Sequence, residues 1–281
     1  MSDCFYWRKI KKGDFNRVEK LLMDIENDYV NACAKFIARE EVNTLIWVLC
    51  GKNDEIQALL INSKNNVLPV LRGVKIPALD LKKSFLPSKK IHSAQGLKNE
   101  VVVLEGELSK RGWKAKEIID YELMSLDSPP DKGKNLPDLS NLVLRTPVMT
   151  DIDAMAPLQA GYEKEEVLPK GSSLSPAASR LNLLNIIAKG QVLAAEIDGR
   201  LIGKINVSGV SFTRYQVGGV YVHPEFRGKG IGRRMAYEFI SSLIREGRGV
   251  TLFVRKTNTS ARRLYSSLGF TAINDYRISY Y

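Results

Sequence analysis

The chain of 281 residues is poor in the two side chains that most often hold metals: it has two histidines and three cysteines. His92 and His223 lie far apart, and Cys4, Cys33 and Cys50 form no CxxC pair, so neither a zinc site nor a disulfide scaffold is supported. The same scarcity leaves little material for a Ser-His-Asp or Cys-His nucleophile. No run approaches the roughly 20 apolar residues that cross a bilayer. The N-terminal stretch from Met1 to Lys9 lacks the apolar core and cleavage site of a signal peptide, so a cytoplasmic protein without membrane contact is expected. Two phosphate-binding signatures are also missing. No G-x-x-x-x-G-K-[ST] loop occurs, and Gly228-Lys229-Gly230, after a strand, meets Arg233 where a dinucleotide fingerprint needs its third glycine.

What is present has the balance of a globular protein, with 44% hydrophobic and 26% charged residues, and the length suits two domains. The net charge of +11 is concentrated in the second half, most densely between Arg214 and Arg263. Such a field favours a polyanion, either a phosphorylated cofactor or nucleic acid. No interleaved stacking aromatics accompany it, which makes nucleic acid the weaker partner.

Along the chain, apolar spacing predicts a helix from Asp14, its cap, to about Glu40, then strands over 45–50, 55–61 and 67–71 separated by turns. The stretch 72–87 is irregular, 97–110 reads as helix, and 119–125 as strand. Asp127 to Leu139 holds three prolines and a glycine among polar residues. These features predict an N-terminal α+β domain over 1–126, a linker over 127–139 and a second domain over 140–281. The second domain reads as strand 142–146, a helix from about Asp151 with Asp151 or Asp153 as cap, and a helix opened by Ser175-Pro176. Strands 192–197 and 201–210 flank the hairpin signal Asp198-Gly199. Strand 215–222 is interrupted by Gly218-Gly219, which predicts a bulge. A glycine turn, a helix closing at Glu246-Gly247, strand 250–254, a helix capped by Thr259-Ser260 and a last strand from Ala272 complete a mixed α/β plan.

The stretch Val220-Tyr221-Val222-His223-Pro224-Glu225-Phe226-Arg227-Gly228-Lys229-Gly230-Ile231-Gly232 joins a strand to a helix through a basic glycine turn. That is how backbone N–H groups and a helix dipole are aimed at phosphate. Further on stands Asn258-x-x-Ala261-x-x-x-Tyr265-x-x-x-Gly269-Phe270. In this order, residues 140–281 resemble the GCN5-related N-acetyltransferase (GNAT) superfamily, matching its Q/R-x-x-G-x-G/A cofactor motif and its C-terminal N…A…LY…LGF signature.

The resemblance implies a GNAT-like fold and acetyl-CoA as cofactor. Its pyrophosphate would lie on Arg227, Gly228, Lys229, Gly230, Ile231 and Gly232, with Arg233 screening the phosphates. Its pantetheine arm would run along the backbone of Tyr221 and Val222, in a cleft opened by the bulge at Gly218-Gly219. Asn258 matches a position that contacts the arm, and Tyr265 the general acid for the leaving thiolate, a role suited to a phenol of pKa about 10. An N–H near Val222 would stabilise the oxyanion. Glu165 and Glu166 fall on the substrate side, where one of them would take the amine proton. His223 and Glu225 read as structural parts of the turn. The expected function is acetyl transfer from acetyl-CoA to a primary amine of a small molecule or peptide by direct attack on the thioester. The alternative is a non-catalytic CoA-sensing module. Residues 1–126 carry neither motif, and their coarse order fits a degenerate GNAT-like copy, which would wall the acceptor cleft or form a homodimer.

Overall fold

A computed structural model describes residues 5–41, 44–73, 91–133 and 139–281. The irregular stretch expected over 72–87 lies mostly outside these residues, as does Cys4. The described chain forms two compact units: residues 1–123 with 254–257 and 272–281, and residues 124–253 with 258–271. Both are mixed α/β, as the sequence implied.

The first unit begins with β1 (Tyr6–Lys9), followed by helices α1 (Phe15–Asp24) and α2 (Glu26–Ile37). The single helix expected from Asp14 is thus two, because Ile25 leaves helical geometry at φ −117°. Asp14 does not cap α1. Its carboxylate is taken by Arg8 and by the amide of Lys11 at 2.8 Å. Strands β2 (Leu45–Cys50), β3 (Ile56–Ser63) and β4 (Asn66–Val70) form the expected antiparallel meander, with β3 and β4 in unbroken register. Then come β5 (Ser93–Leu97), α3 (Lys98–Ser109) and β6 (Glu117–Leu126). Neither β1 nor β5 is expected from the sequence; Ser-Ala-Gln-Gly-Leu has no β-branched residue to announce a strand. Leu60, Val67, Ala94, Val101, Leu104 and Leu108 share one core with Trp47 and Trp113 at its margin. Each such leucine withdrawn from water contributes about 1.5–3 kcal/mol.

The second unit begins with β7 (Leu142–Arg145), α4 (Ile152–Tyr162) and a five-residue π-helical turn (Glu163–Val167). Asp151 sits at the start of α4, but its carboxylate binds Arg145 and the amide of Val148. Helix α5 (Pro176–Ala188) starts as expected, with Ser175 Oγ accepting from the Ala178 amide and proline in the first turn. Strands β8 (Val192–Ile197) and β9 (Arg200–Val210) turn at Asp198 and Gly199, both at positive φ. After β10 (Arg214–Val222) come α6 (Ile231–Arg245), β11 (Gly249–Arg255) and α7 (Thr259–Ser267). The strand order is β7-β8-β9-β10-β11, antiparallel except for the parallel pair β10–β11. Tyr221, Met155, Leu158, Leu183, Ile187 and Ala194 bury one face against α4 and α5.

The last strand, β12 (Thr271–Tyr280), groups with the first unit, where it lies antiparallel to β5 in the register Tyr276↔Leu97 to Tyr280↔Ser93. Arg277 anchors it, with Nε donating to Asp120 Oδ1 at 2.8 Å and Nη1 to Glu105 Oε2 at 3.2 Å.

Candidate functional site

The site is built around a fault in β10. This strand pairs in parallel with β11 only from Arg214↔Gly249 to Val217↔Leu252, and its register with β9 shifts between Gly218 and Tyr221. The bulge falls on the paired glycines. Gly219 takes φ +61°, and a Cβ there would meet Asn206 Oδ1 at 1.8 Å and Lys204 Nζ at 2.7 Å, so only glycine fits. Past the bulge, β10 leaves β11 and leads to a pocket of about 580 Å³.

The fault is held by a buried lysine that the sequence reading did not single out. Lys204, on β9, is fully buried, and its Nζ donates to Asn206 Oδ1 at 2.8 Å and to the Gly219 carbonyl at 3.0 Å. Burial pulls its pKa down to about 7, partly opposed by the charge of Glu163. The signal available in sequence was a lone lysine inside the apolar run Leu201–Val210, which reads as an exposed face on an alternating strand.

The glycine turn forms one end of the pocket. Gly228 and Gly230 take φ +77° and +80° on either side of Lys229, and Gly230 is the residue from which α6 starts. Among the described residues, no backbone carbonyl accepts from the amides of Gly228, Lys229 or Gly230, and the first amides of α6 have no partner by helix geometry. Arg227, Gly228, Gly230, Ile231, Gly232 and Arg233 line the pocket with Tyr221 and Val222, and Asn258 lies at its other side. Lys229 is not in the lining; its Nζ lies over the Phe226 ring at 5.2 Å. These uncapped amides, the parted strands and the pocket's size fit a long, phosphorylated, extended ligand such as acetyl-CoA.

The cationic and acidic side chains hold one another. Arg227 Nη2 donates to both oxygens of Glu165 at 2.9 and 3.0 Å, its Nε donates to the Val222 carbonyl at 2.8 Å, and Tyr221 Oη donates to Glu165 at 3.2 Å. Both partners of this ion pair are roughly two-fifths exposed, so it contributes little stability and can exchange for another anion. Arg233 reaches the carbonyls of Lys132 and Asp131 and the hydroxyl of Ser267. Asn258 uses its oxygen to cap α7 at the Ala261 amide, 3.0 Å, and its nitrogen to donate to Glu166 at 3.3 Å. Tyr265 is buried on α7, edge-on to Phe270 at 5.8 Å between ring centres. Burial, with the nearby Tyr162 and Glu166, raises its pKa well above the usual phenol range, so it stays protonated. His223 Nδ1 lies 3.6 Å from Glu225, beside the turn.

Ser260, Arg263, Leu264 and Ser267, on the face of α7 toward the pocket, were missed in the sequence. Their spacing of three and four residues was there to be read once the helix was placed. Among the described residues, no group of His, Cys, Asp and Glu is arranged to hold a metal, and no helix is long and apolar enough to cross a membrane.

Residues 161–270 match the model of the acetyltransferase (GNAT) family. An uncharacterized N-acetyltransferase of Archaeoglobus fulgidus is 38% identical over 86 residues, 28% of this chain and 58% of that protein. The chain therefore spans little more than half the length of that curated relative. A GCN5-related N-acetyltransferase from Sphaerobacter thermophilus superposes over 98% of this chain and 94% of its own, with TM-score 0.63 and 18% identity. A tandem GNAT protein from the clavulanic acid biosynthesis pathway covers 98% of each chain, with TM-score 0.58 and 13% identity. At such identities the two structures speak for the fold, which they extend to nearly the whole length.

Proposed function

We propose, taking residues 161–270 as a GNAT acetyltransferase domain, that the chain transfers an acetyl group from acetyl-CoA to a primary amine. The observation that carries this reading is the parting of β10 from β11 directly ahead of an uncapped glycine turn. Bound acetyl-CoA supplies an activated thioester for a neutral amine to attack. The amides of Gly228 to Gly232 receive the pyrophosphate, and Arg227 exchanges Glu165 for a phosphate oxygen. Arg233 adds positive charge at the same end. The backbone of Tyr221 and Val222 orients the pantetheine arm, and an amide there faces the oxygen on which charge develops. Tyr265, kept protonated by burial, holds the proton for the leaving thiolate. Of the two candidate bases, Glu165 stands beside Arg227 at the phosphate end of the pocket, whereas half-buried Glu166 lies near Tyr265; Glu166 is assigned the amine proton, through water. The test is thiol release from acetyl-CoA across a panel of small amines and peptides. Amine-dependent release supports transfer. Tight acetyl-CoA binding with no release from any amine would instead favour the CoA-sensing module.

A further inference from the structure

A second pocket, of about 320 Å³, opens on the other side of the β10 bulge, between α4, the π turn, α5 and β9. It meets the first pocket along one strand: Gly219 lines this one, and Val220, Tyr221 and Val222 line the other. At its wall stands Glu163, only 8% exposed. Its Oε1 accepts from Gln159 Nε2 at 2.7 Å and from Asn182 Nδ2 at 3.3 Å, but among the described residues no cation lies within ion-pair distance of it. Lys204, whose charge is coupled to Glu163, has its Nζ turned to Asn206 and Gly219. A buried carboxylate whose direct hydrogen bonds all come from neutral amides has no cation in contact with it.

Gln159 adds a second unmet demand. Its nitrogen is fixed toward the carboxylate, because the opposite orientation would face oxygen to oxygen, and its buried Oε1 has no hydrogen-bond partner. The remaining polar lining is the exposed Lys189 together with Asn182, Asn185, Gln191, Asn206 and Ser208, uncharged groups that can both donate and accept. A polyanion would meet Glu163, and a purely apolar amine would strand the carboxamides.

We infer that this pocket binds a small primary ammonium carrying hydroxyl or amide groups, with Glu163 receiving the ammonium. As the acceptor class of the acetyl transfer, this rests on the function proposed above; as a binding site, it is measured without cofactor. The probe is serinol (2-amino-1,3-propanediol), titrated into the full chain and followed by protein amide NMR. Glycerol is its uncharged counterpart and butylamine its apolar one. Serinol should shift the amides of Glu163, Asn182 and Ser208, with glycerol and butylamine each at least about tenfold weaker, the loss of one charge-assisted contact or of the polar ones. Glu163→Gln should weaken serinol by about tenfold or more and Asn182→Ala by a smaller factor, both leaving acetyl-CoA affinity by calorimetry unchanged. That unchanged affinity also reports that each variant is folded. Equal binding of glycerol and serinol, no serinol binding, or full binding by Glu163→Gln would overturn the inference. If serinol binds through Glu163 but acetyl-CoA does not bind, the transfer reading fails and the ammonium site stands; the reverse result removes only the ammonium site.

Discussion

The two units share much of their order of elements and differ most at one strand; helix α6, between β10 and β11, has no counterpart among the described residues of the first unit. In each, a strand and two helices precede three antiparallel strands, and the third of these lies parallel to the next, Asn66↔Ser93 in the first unit and Arg214↔Gly249 in the second. In the first unit α3 and β6 then follow; in the second α7 follows, and the strand after it, β12, groups with the first unit. The third strand is where they part. β4 is Asn-Val-Leu-Pro-Val and keeps perfect register with β3, and β3 carries no charge. β10 contains Gly218-Gly219, breaks register with β9, and is pinned by a lysine buried in β9. The segments after them differ likewise. Residues 71–92 hold a single glycine, whereas 223–232 hold the glycine turn. A bulge, its buried cation and an uncapped helix start therefore set the second unit apart from the first.

Glycines at positive φ should accordingly not be equivalent in the two units. Gly219→Ala forces a Cβ into Asn206 and Lys204 and should cost at least about 2 kcal/mol of stability along with most activity. Gly73→Ala, also at positive φ but with nothing within 4 Å, should cost about 1 kcal/mol and leave turnover intact. Urea titrations with thiol-release rates read both; equal effects would break the comparison. Tyr265→Phe should lower kcat by about 100-fold with acetyl-CoA affinity nearly unchanged, and full activity would remove Tyr265 as the acid. Glu165→Gln frees Arg227, so acetyl-CoA should bind a few-fold tighter, with kcat changed by less than about tenfold. A collapse of kcat would restore Glu165 as the base.

A pH dependence sharpens the role of Lys204. Its folded pKa of about 7 lies below the ordinary 10.5, so between those values the unfolded chain holds a proton that the folded chain lacks. Stability therefore rises with pH across that window, is flat above it, and is lower below pH 7, where both states are charged. Lys204→Met should remove the part of this rise that belongs to the second unit. Urea midpoints near pH 7 and pH 9.5 test it, and an identical pH trend in the variant would show that Lys204 does not titrate there.

Much of this was legible in the residues. The meander, the Asp198-Gly199 hairpin, the Ser175 cap and the glycine turn all follow from local rules: alternation, positive φ and orphan amides. So did the bulge, because paired glycines inside a β-branched strand have few other uses. What escaped was set by distant partners. Ile25 splits the first helix although its side chain fits the helical stripe. β5 is a strand because β4 and β12 flank it, and not by its own composition. That β12 pairs beside β5 could not be read from a segment that ends the second half of the sequence. Lys204 and Glu163 look like surface charges until the strands and α4 enclose them.

The most direct test of the account is calorimetric titration of the full chain with acetyl-CoA. One site per chain is predicted, weakened by substitutions at Arg227 and in the glycine turn and untouched by Gly73→Ala. Two sites per chain, or none, would contradict the assignment of the cofactor to the second unit alone.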